Sequence, residues 1–364
     1  MVSLEWGHIK NILDVHSDRV DLEVLVRGRI HHAIAYRDLT GTPKEGERVL
    51  LNTTATRLKL GTGGVDFVVA RDAVGEAPAS IVHRGMKMKY SPLQVPCSLE
   101  EETAPNRHRI YNEFPCLRGI PVLVGELHSM VAPAVAVLYH HGIKRVSYIM
   151  SDHGALPMAF SNTVRELKQK KLLNGTITIG NAFGGDFECV NIFSGLAAAV
   201  KTLKSQAIIL TMGPGIYGTG TMLGFSGIEM GHYLDDIALL RGSPIYIPRL
   251  SFRDNRARHY GMSHHSITLL SKIIQQPCHI AFPLLQNKIQ RRILYQQILT
   301  HRIHRRHSLS FLNASETLNI LNSLELKPVS MGRTYQEDPV YFDTVAAAAQ
   351  LAASLTHSFH RKDK

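Results

Sequence analysis

From residue 121 to residue 299, short apolar runs alternate with helix-like stretches, and this alternation constrains the fold more than any other feature of the chain. The runs PVLVG, RVSYIM, GTITIG and AIILTM are each followed by a segment of helical character. Repeated β–α alternation builds a parallel sheet with helices on both faces. We therefore predict an α/β domain over residues 118–356, with three layers and a mostly parallel, doubly wound sheet.

The first 95 residues follow a different pattern, that of a small all-β domain. Short strand-like runs, such as residues 20–26, are separated by turns such as Gly61-Thr62-Gly63-Gly64. Short strands with Gly-rich turns favour a small barrel or sandwich. We assign residues 1–95 to a barrel-like domain, residues 96–117 to a linker and residues 357–364 to a basic tail.

The composition is that of a globular protein, with 44% hydrophobic and 20% charged side chains among 364 residues. No run of about 18 uncharged apolar residues occurs, so no transmembrane helix or other membrane association is expected. The N-terminus lacks the pattern of a secretory signal, so we expect a cytoplasmic location. The net charge of +11 favours anionic partners, either small molecules or nucleic acid.

One glycine-rich segment, Gly213-Pro214-Gly215-Ile216-Tyr217-Gly218-Thr219-Gly220-Thr221, follows a predicted strand and precedes a predicted helix. Backbone N–H groups in such a turn can hold an anion. The segment matches G-x-G-x-x-G, but Pro214 removes an N–H group and no acidic residue ends the next strand, which argues against a dinucleotide site. The alternatives are a surface loop and an anion site, for which the predicted contact residues are Gly213, Gly215, Gly218, Thr219, Gly220 and Thr221.

Carboxylates follow three of the predicted strands, at Glu126, Asp152 and Asp186. Parallel strands end at the same edge of a sheet, where open α/β sheets bind ligands. Converging carboxylates either hold a divalent metal such as Mg²⁺ or shift one another's pKa for acid–base work. We predict catalytic roles for Asp152 and Asp186, and metal binding by Glu126, His128 and Asp186. Each acid alone is also a good helix N-cap.

A third group of polar residues lies between residues 253 and 265. Arg253, Arg256 and Arg258 suit phosphate or carboxylate recognition, and we assign them to ligand binding. His264 is assigned to acid–base catalysis. A metal site, helix capping and a solvated surface remain the alternatives for this segment.

The stretch 288–307 contains six Lys and Arg residues and no acid. This pattern is typical either of a solvated helix followed by a loop or of a segment that contacts nucleic acid.

Several segments carry a family resemblance, namely Leu51-Asn52-Thr53-Thr54-Ala55 with Leu60-Gly61-Thr62-Gly63-Gly64, Gly125-Glu126-Leu127-His128-Ser129, and the residues 152–160, 182–186, 213–229 and 261–265. Together they resemble an uncharacterised bacterial family of domains of unknown function, DUF family 3866. The resemblance extends over nearly the whole chain. It implies a bacterial cytoplasmic protein and brings no activity with it.

The expected function is that of an enzyme acting on a phosphorylated or nucleotide-like small molecule at the carboxyl edge of the sheet. A metabolite-sensing regulatory protein without catalysis is the first alternative, and a nucleic-acid binder that uses residues 288–307 is the second. An enzyme should need the carboxylates, whereas a sensor should depend more on the glycine-rich segment.

Overall fold

The computed structural model describes residues 2–61, 63–72, 85–104 and 106–362, with side chains as far as residue 358. Some parts of the predicted segments lie outside this description, namely Thr62, residues 73–84, Pro105 and residues 363–364. For residues 359–362 the structure describes the backbone and not the side chains. The chain divides into two compact units, Met1–Ser98 and Leu99–Lys364.

Five strands of the first unit close into a barrel in the order β1-β2-β3-β5-β4. Their bounds are β1 (Leu4–Val15), β2 (Arg19–Val26), β3 (Arg29–Tyr36), β4 (Arg48–Asn52) and β5 (Asp66–Arg71). Strands β3 and β5 are parallel and the other neighbours are antiparallel. Side chains alternate along a strand, so every second residue enters the core, which is formed mainly by valines and leucines such as Leu22 and Leu51. The described part of the unit also contains two short helices and a hairpin: α1 (Arg37–Thr40), α2 (Thr54–Arg57), β6 (Gly85–Lys87) and β7 (Val95–Cys97).

Gly7 lies on the buried face of β1, where a Cβ atom would approach Val24 Cγ1 to 2.6 Å and Val26 Cγ2 to 2.7 Å. We expect Gly7→Ala to lower the free energy of unfolding by about 1–3 kcal/mol, because a closed barrel has little room for an added methyl group. Urea denaturation followed by Trp6 fluorescence would measure the change. Gly61→Ala is the matched control, since a Cβ atom there meets nothing within 4 Å. Equal losses in both variants would contradict the prediction.

The second unit contains an eight-stranded sheet in which all neighbours are parallel. Together with the barrel, it confirms the predicted fold class. The order is β11-β10-β9-β12-β8-β13-β16-β17. The strands are β8 (Pro121–Gly125), β9 (Val146–Ser151), β10 (Gly175–Thr178), β11 (Phe187–Glu188), β12 (Ala207–Met212), β13 (Ser243–Ile247), β16 (His279–Pro283) and β17 (Ser308–Leu312). A separate antiparallel ribbon pairs β14 (Leu250–Ser251) with β15 (Gly261–Met262).

Helices cover both faces of this sheet. The helices are α3 (Arg107–Asn112), α4 (Val131–His140), α5 (Asn162–Gln169), α6 (Ile192–Lys201), α7 (Glu229–Leu239), α8 (His264–Thr268), α9 (Lys288–Thr300), α10 (Thr317–Ser323) and α11 (Pro339–Lys362). One face packs against α4, α5, α10 and α11, and the other against α6, α7, α8 and α9. Helix α8 continues into a π-helical turn, Leu269–Ile273. The described residues include no helix with the length and apolar character of a membrane span.

Parts of the predicted linker and basic tail have regular structure. The segment 96–117 contains a 3₁₀ turn, Glu100–Glu102, and helix α3, while α11 continues through residue 362.

The crossovers after β8 and β12 position the candidate site. Strand β8 lies between β12 and β13, and the chain leaves it through α4 on one face of the sheet. The chain leaves β12 through α7 on the opposite face. Connections that diverge in this way open a crevice at the carboxyl ends of the strands.

Candidate functional site

Glu126 directly follows β8 and is fully buried. Its Oε1 atom accepts hydrogen bonds from Ser266 Oγ at 2.8 Å and from the Tyr246 hydroxyl at 3.4 Å. Its Oε2 atom has no hydrogen-bond partner and lies 3.6 Å from Nδ1 of His265. The end of the central strand therefore aims one carboxylate oxygen at a histidine ring from α8.

His265 is fixed between the glycine-rich segment and Glu126. Its ring stacks on Phe225 with centroids 4.1 Å apart and an interplanar angle of 6°. Its Nδ1 atom faces Glu126, and its Nε2 atom would lie 3.3 Å from a Cβ atom added at Gly218. The ring thus presents one nitrogen to the buried acid and the other to the glycine-rich segment.

Unpartnered buried atoms concentrate in this region. Of the five buried side-chain N or O atoms without a partner among the described residues, three belong to Glu126, His264 and His265. The rings of His264 and His265 lie 4.2 Å apart, and His259 lies within 5.3 Å of both. Buried polar atoms are nearly always hydrogen-bonded, so a cluster of exceptions suggests a site that a ligand or an exchanged proton completes.

Burial controls the protonation of this cluster. Burial raises the pKa of Glu126, while the hydrogen bond from Ser266 and the charge of Arg249 oppose the rise. Burial lowers the pKa of His265 to about 3, and the neighbouring rings and arginines add to the effect. The pKa of His259 is lowered to about 4, again chiefly by burial. At neutral pH these rings are uncharged, and each has one nitrogen that can accept a proton.

A buried ion pair supports the cluster from β13. The Arg249 side chain is only 4% exposed and donates from Nη2 to Asp254 Oδ2 at 2.7 Å. Its backbone N–H donates to Ser266 Oγ, the hydroxyl that also donates to Glu126. Arg256 donates from Nε and Nη2 to the same carboxylate, so this predicted ligand-binding arginine has a partner within the protein.

Arg258 is exposed and faces the glycine-rich segment. Its Nη1 atom lies 3.9 Å from the position of a Cβ atom at Gly220, and its Nε donates to His259 Nε2 at 3.4 Å. Arg253 is also exposed. The structure therefore brings Arg258 to the outer part of the predicted anion segment, while Glu126 and His264 lie against His265, whose Nε2 atom faces Gly218.

The glycine-rich segment folds back on itself beyond its first residues. Gly213 is buried against the backbone of Ala155, whereas Gly215 is exposed with a φ of 109°. The Thr219 N–H donates to the carbonyl of Gly224 at 2.8 Å, and the hydroxyls of Thr219 and Thr221 lie 2.9 Å apart. Residues 218–221 are exposed and form the part of the segment that a ligand can reach.

Asp152 has a structural contact of its own. Its Oδ2 atom accepts from the N–H of Asn181 at 2.8 Å. Gly180 makes this contact possible, because its φ is 64° and a Cβ atom there would lie 2.3 Å from Asp152 Oδ2. Ser161, rather than Asp152, caps helix α5.

His128 and Asp186 also form their hydrogen bonds with residues other than Glu126. His128 contacts the Tyr148 hydroxyl at 3.0 Å and Ser161 Oγ at 2.6 Å. Asp186 accepts from Lys168 at 2.5 Å and from both the N–H and the hydroxyl of Thr176.

The three predicted metal ligands do not form one ligand set. Across the described ranges, the group whose three ligand atoms all lie within 4.8 Å of one another is Asp14, His16 and Asp21, in the barrel. There Arg19 donates two hydrogen bonds to Asp21 and supplies positive charge.

Several residues of the cluster were not selected from the sequence, namely His265, His259, Arg249, Ser266 and Tyr246. The sequence does contain a pattern that points to Arg249, because an arginine that directly follows the apolar strand PIYIP places a charge at a buried edge of the sheet. No sequence pattern distinguishes His265 from His264.

The basic stretch forms α9 and the turn that follows it. Lys288, Arg291 and Arg292 are exposed on α9. Arg306 instead donates to the backbone carbonyls of Ser271 and Ile274, at the end of the π-helical turn.

The comparisons with known proteins identify a family. No curated protein matches the chain. A family model described as "Protein of unknown function (DUF3866)" matches residues 32–349, a range that contains Glu126, His265 and the glycine-rich segment. The chain therefore belongs to this family, DUF3866.

Proposed function

We propose that this chain is an enzyme that acts on a phosphorylated or nucleotide-like small molecule by acid–base chemistry. One observation supports the proposal above the others: two buried atoms without partners, Glu126 Oε2 and His265 Nδ1, face each other at 3.6 Å. A carboxylate that holds one imidazole nitrogen sets the tautomer and leaves the other nitrogen for proton exchange. In this site that second nitrogen is His265 Nε2, next to Gly218.

The proton transfer follows from these contacts. When Glu126 is ionised, His265 carries its proton on Nδ1, and the adjacent negative charge offsets the burial that lowers the pKa of His265, so that Nε2 accepts a proton from the substrate. The imidazolium that forms lies against the Glu126 carboxylate, whose charge is also stabilised by Ser266, Tyr246 and the nearby Arg249. His264 lies in the same cluster, and we propose for it the acid–base role that the sequence predicts.

Positive charge at the mouth of the cluster accounts for an anionic substrate. Arg258 lies beside Gly220, and Arg253 is exposed in the same segment. Guanidinium groups bind phosphate with paired hydrogen bonds, and backbone N–H groups of a glycine-rich turn add further donors. We propose that Arg258, Arg253 and residues 218–221 hold the anionic group above His265.

The binding half of the proposal is tested by thermal denaturation with inorganic phosphate, pyrophosphate and adenosine monophosphate as probes. A probe at about 100 times its Kd should add roughly 2.7 kcal/mol to the stability. We expect Arg258→Gln to lose this stabilisation and Lys327→Gln, at an exposed position elsewhere, to keep it. If no probe stabilises the wild-type protein, or if Arg258→Gln responds like the wild type, the anion site is refuted.

The catalytic half is tested on pyrophosphate or adenosine monophosphate, whichever stabilises the protein, with turnover followed by phosphorus NMR. We expect Glu126→Gln to keep the thermal shift and to lower turnover by about 10²- to 10⁴-fold. Gly218→Ala should lower turnover as well, because its methyl group crowds His265 Nε2, whereas Gly61→Ala should not. Binding without turnover in the wild type would favour the metabolite-sensing alternative over an enzyme.

A further inference from the structure

Four strands of the barrel place exposed side chains in one lateral row. His8 on β1 pairs with Arg48 on β4 and with Leu25 on β2, and Leu25 pairs in turn with Ile30 on β3. All four side chains are exposed. Exposed large apolar side chains in a contiguous group mark interaction sites more often than scattered ones do.

Trp6 extends this row by one flat aromatic ring. It lies two residues before His8 on the same outward face of β1 and is 42% exposed. The guanidinium carbon of Arg48 lies 4.4 Å from the centroid of its ring. A tryptophan in contact with an arginine in this way combines a stacking surface with a positive charge.

The charges around this surface are mainly positive. Lys10 is exposed two residues after His8, and Arg27 and Arg29 are exposed at the turn between β2 and β3, next to Ile30, in addition to Arg48. Of the nearby carboxylates, Glu23 accepts a hydrogen bond from Asn11 at 2.7 Å, Glu45 accepts one from the Ile12 N–H at 3.2 Å, and Asp72 lies 3.5 Å from Arg48. Four cations against these three carboxylates favour a polyanion as the partner.

We propose that this surface, formed by Trp6, His8, Leu25, Ile30 and Arg48 with the cations beside them, binds single-stranded nucleic acid. Unpaired bases stack on Trp6 and on the neighbouring aliphatic side chains, while the phosphates contact the arginines and Lys10. Duplex bases are already stacked on one another and cannot use Trp6. A second copy of this surface would bring like charges together. The proposal is independent of the acid–base site in the second unit.

Trp6 is the sole tryptophan of the chain, so its fluorescence reports on this surface directly. We expect an oligothymidylate of about 12 nucleotides, within the usual site sizes, to quench the Trp6 emission of the full-length protein. With four phosphate contacts, affinity should fall roughly fifty-fold between about 50 and 200 mM salt. A quenching oligonucleotide with this salt dependence would support the proposal.

Variants test the same surface by the anisotropy of a fluorescein-labelled oligothymidylate. Trp6→Leu should weaken binding by about 5- to 150-fold, which is the range for loss of one stacking contact. Arg48→Gln should reduce the salt slope by about 0.7. Lys327→Gln, at an exposed position in the second unit, should change neither quantity.

Three outcomes would overturn the proposal. The first is no quenching and no rise in anisotropy at about 50 mM salt. The second is a blue shift of Trp6 emission with phosphatidylserine vesicles and no response to the oligonucleotide, which would make the surface a lipid contact. The third is binding that Arg292→Gln weakens and Trp6→Leu does not, which would place the nucleic acid on α9 instead.

Discussion

Replacing Asp254 by alanine is expected to lower the free energy of unfolding by about 3–5 kcal/mol. Asp254 is the carboxylate that pairs with Arg249, whose side chain is 4% exposed. Without Asp254 the guanidinium remains buried without its ion-pair partner, and a buried charge that loses its partner is among the most destabilising defects in a protein. Urea denaturation of the whole chain, followed by circular dichroism, would measure the loss in free energy of unfolding.

The other arginine of the same group provides the control. Arg256 donates to both oxygens of Asp254, and its hydrogen bonds are the main reason that the pKa of this carboxyl lies well below its usual range. Its side chain is 49% exposed, so water replaces the contact when it is lost. We expect Arg256→Gln to cost less than about 1 kcal/mol.

A double variant separates the buried charge from simple loss of packing. The double variant, Arg249→Met with Asp254→Ala, removes both charges. Its loss in free energy of unfolding should be smaller than the sum of the losses in the two single variants. Additive losses would show that the stranded charge is not the cause.

Acid is expected to destabilise the second unit as the pH falls from 6.5 to 4, with His128 alone contributing about 3 kcal/mol. Burial lowers the pKa of His128 from 6.5 to about 4. Between these values the unfolded chain binds a proton that the folded protein excludes, so stability falls as the pH falls from 6.5 to 4. Denaturation in urea at a series of pH values would give the slope.

His128→Gln should flatten this slope even though it also removes the contacts with Tyr148 and Ser161. The readout is the change in stability with pH, not the stability at one pH. His232→Gln, at an exposed position on α7, should leave the slope as it is in the wild type. Equal slopes for the wild type and His128→Gln would contradict the prediction. Glu126 acts in the opposite direction, because its raised pKa lowers stability as the pH rises.

The fold class follows from the sequence because hydrophobic periodicity directly encodes the elements. Every residue of β8, β9, β10 and β12 is buried, and the runs at β8 and β12 have no polar alternation, as is typical of strands covered on both faces. The strand order does not follow in this way, because it depends on which crossover passes over which face. The neighbours of β8 are the strands β12 and β13, far along the chain from it.

The same reason limits prediction of the site. Glu126 and His265 are visible in the sequence as polar residues next to strands, but their contact depends on β13 lying beside β8. The contacts of Asp186 and His128 with Lys168, Thr176 and Ser161 depend likewise on how loops pack above the sheet. Sequence patterns therefore located the edge of the sheet, and tertiary packing selected which of its polar residues meet.

The position of α11 in the chain has a consequence for synthesis. This helix packs against α4 and covers one face of the sheet with an alanine-rich surface that includes Ala347, Ala348 and Ala349. It follows β17, the last strand, so the ribosome must make all the strands before this cover exists. During that interval the apolar residues of α4 and of the sheet beneath α11 are open to other chains, and a chaperone that binds them would have its longest opportunity there. The barrel, by contrast, is complete early in translation and can fold while the rest of the chain is still being made.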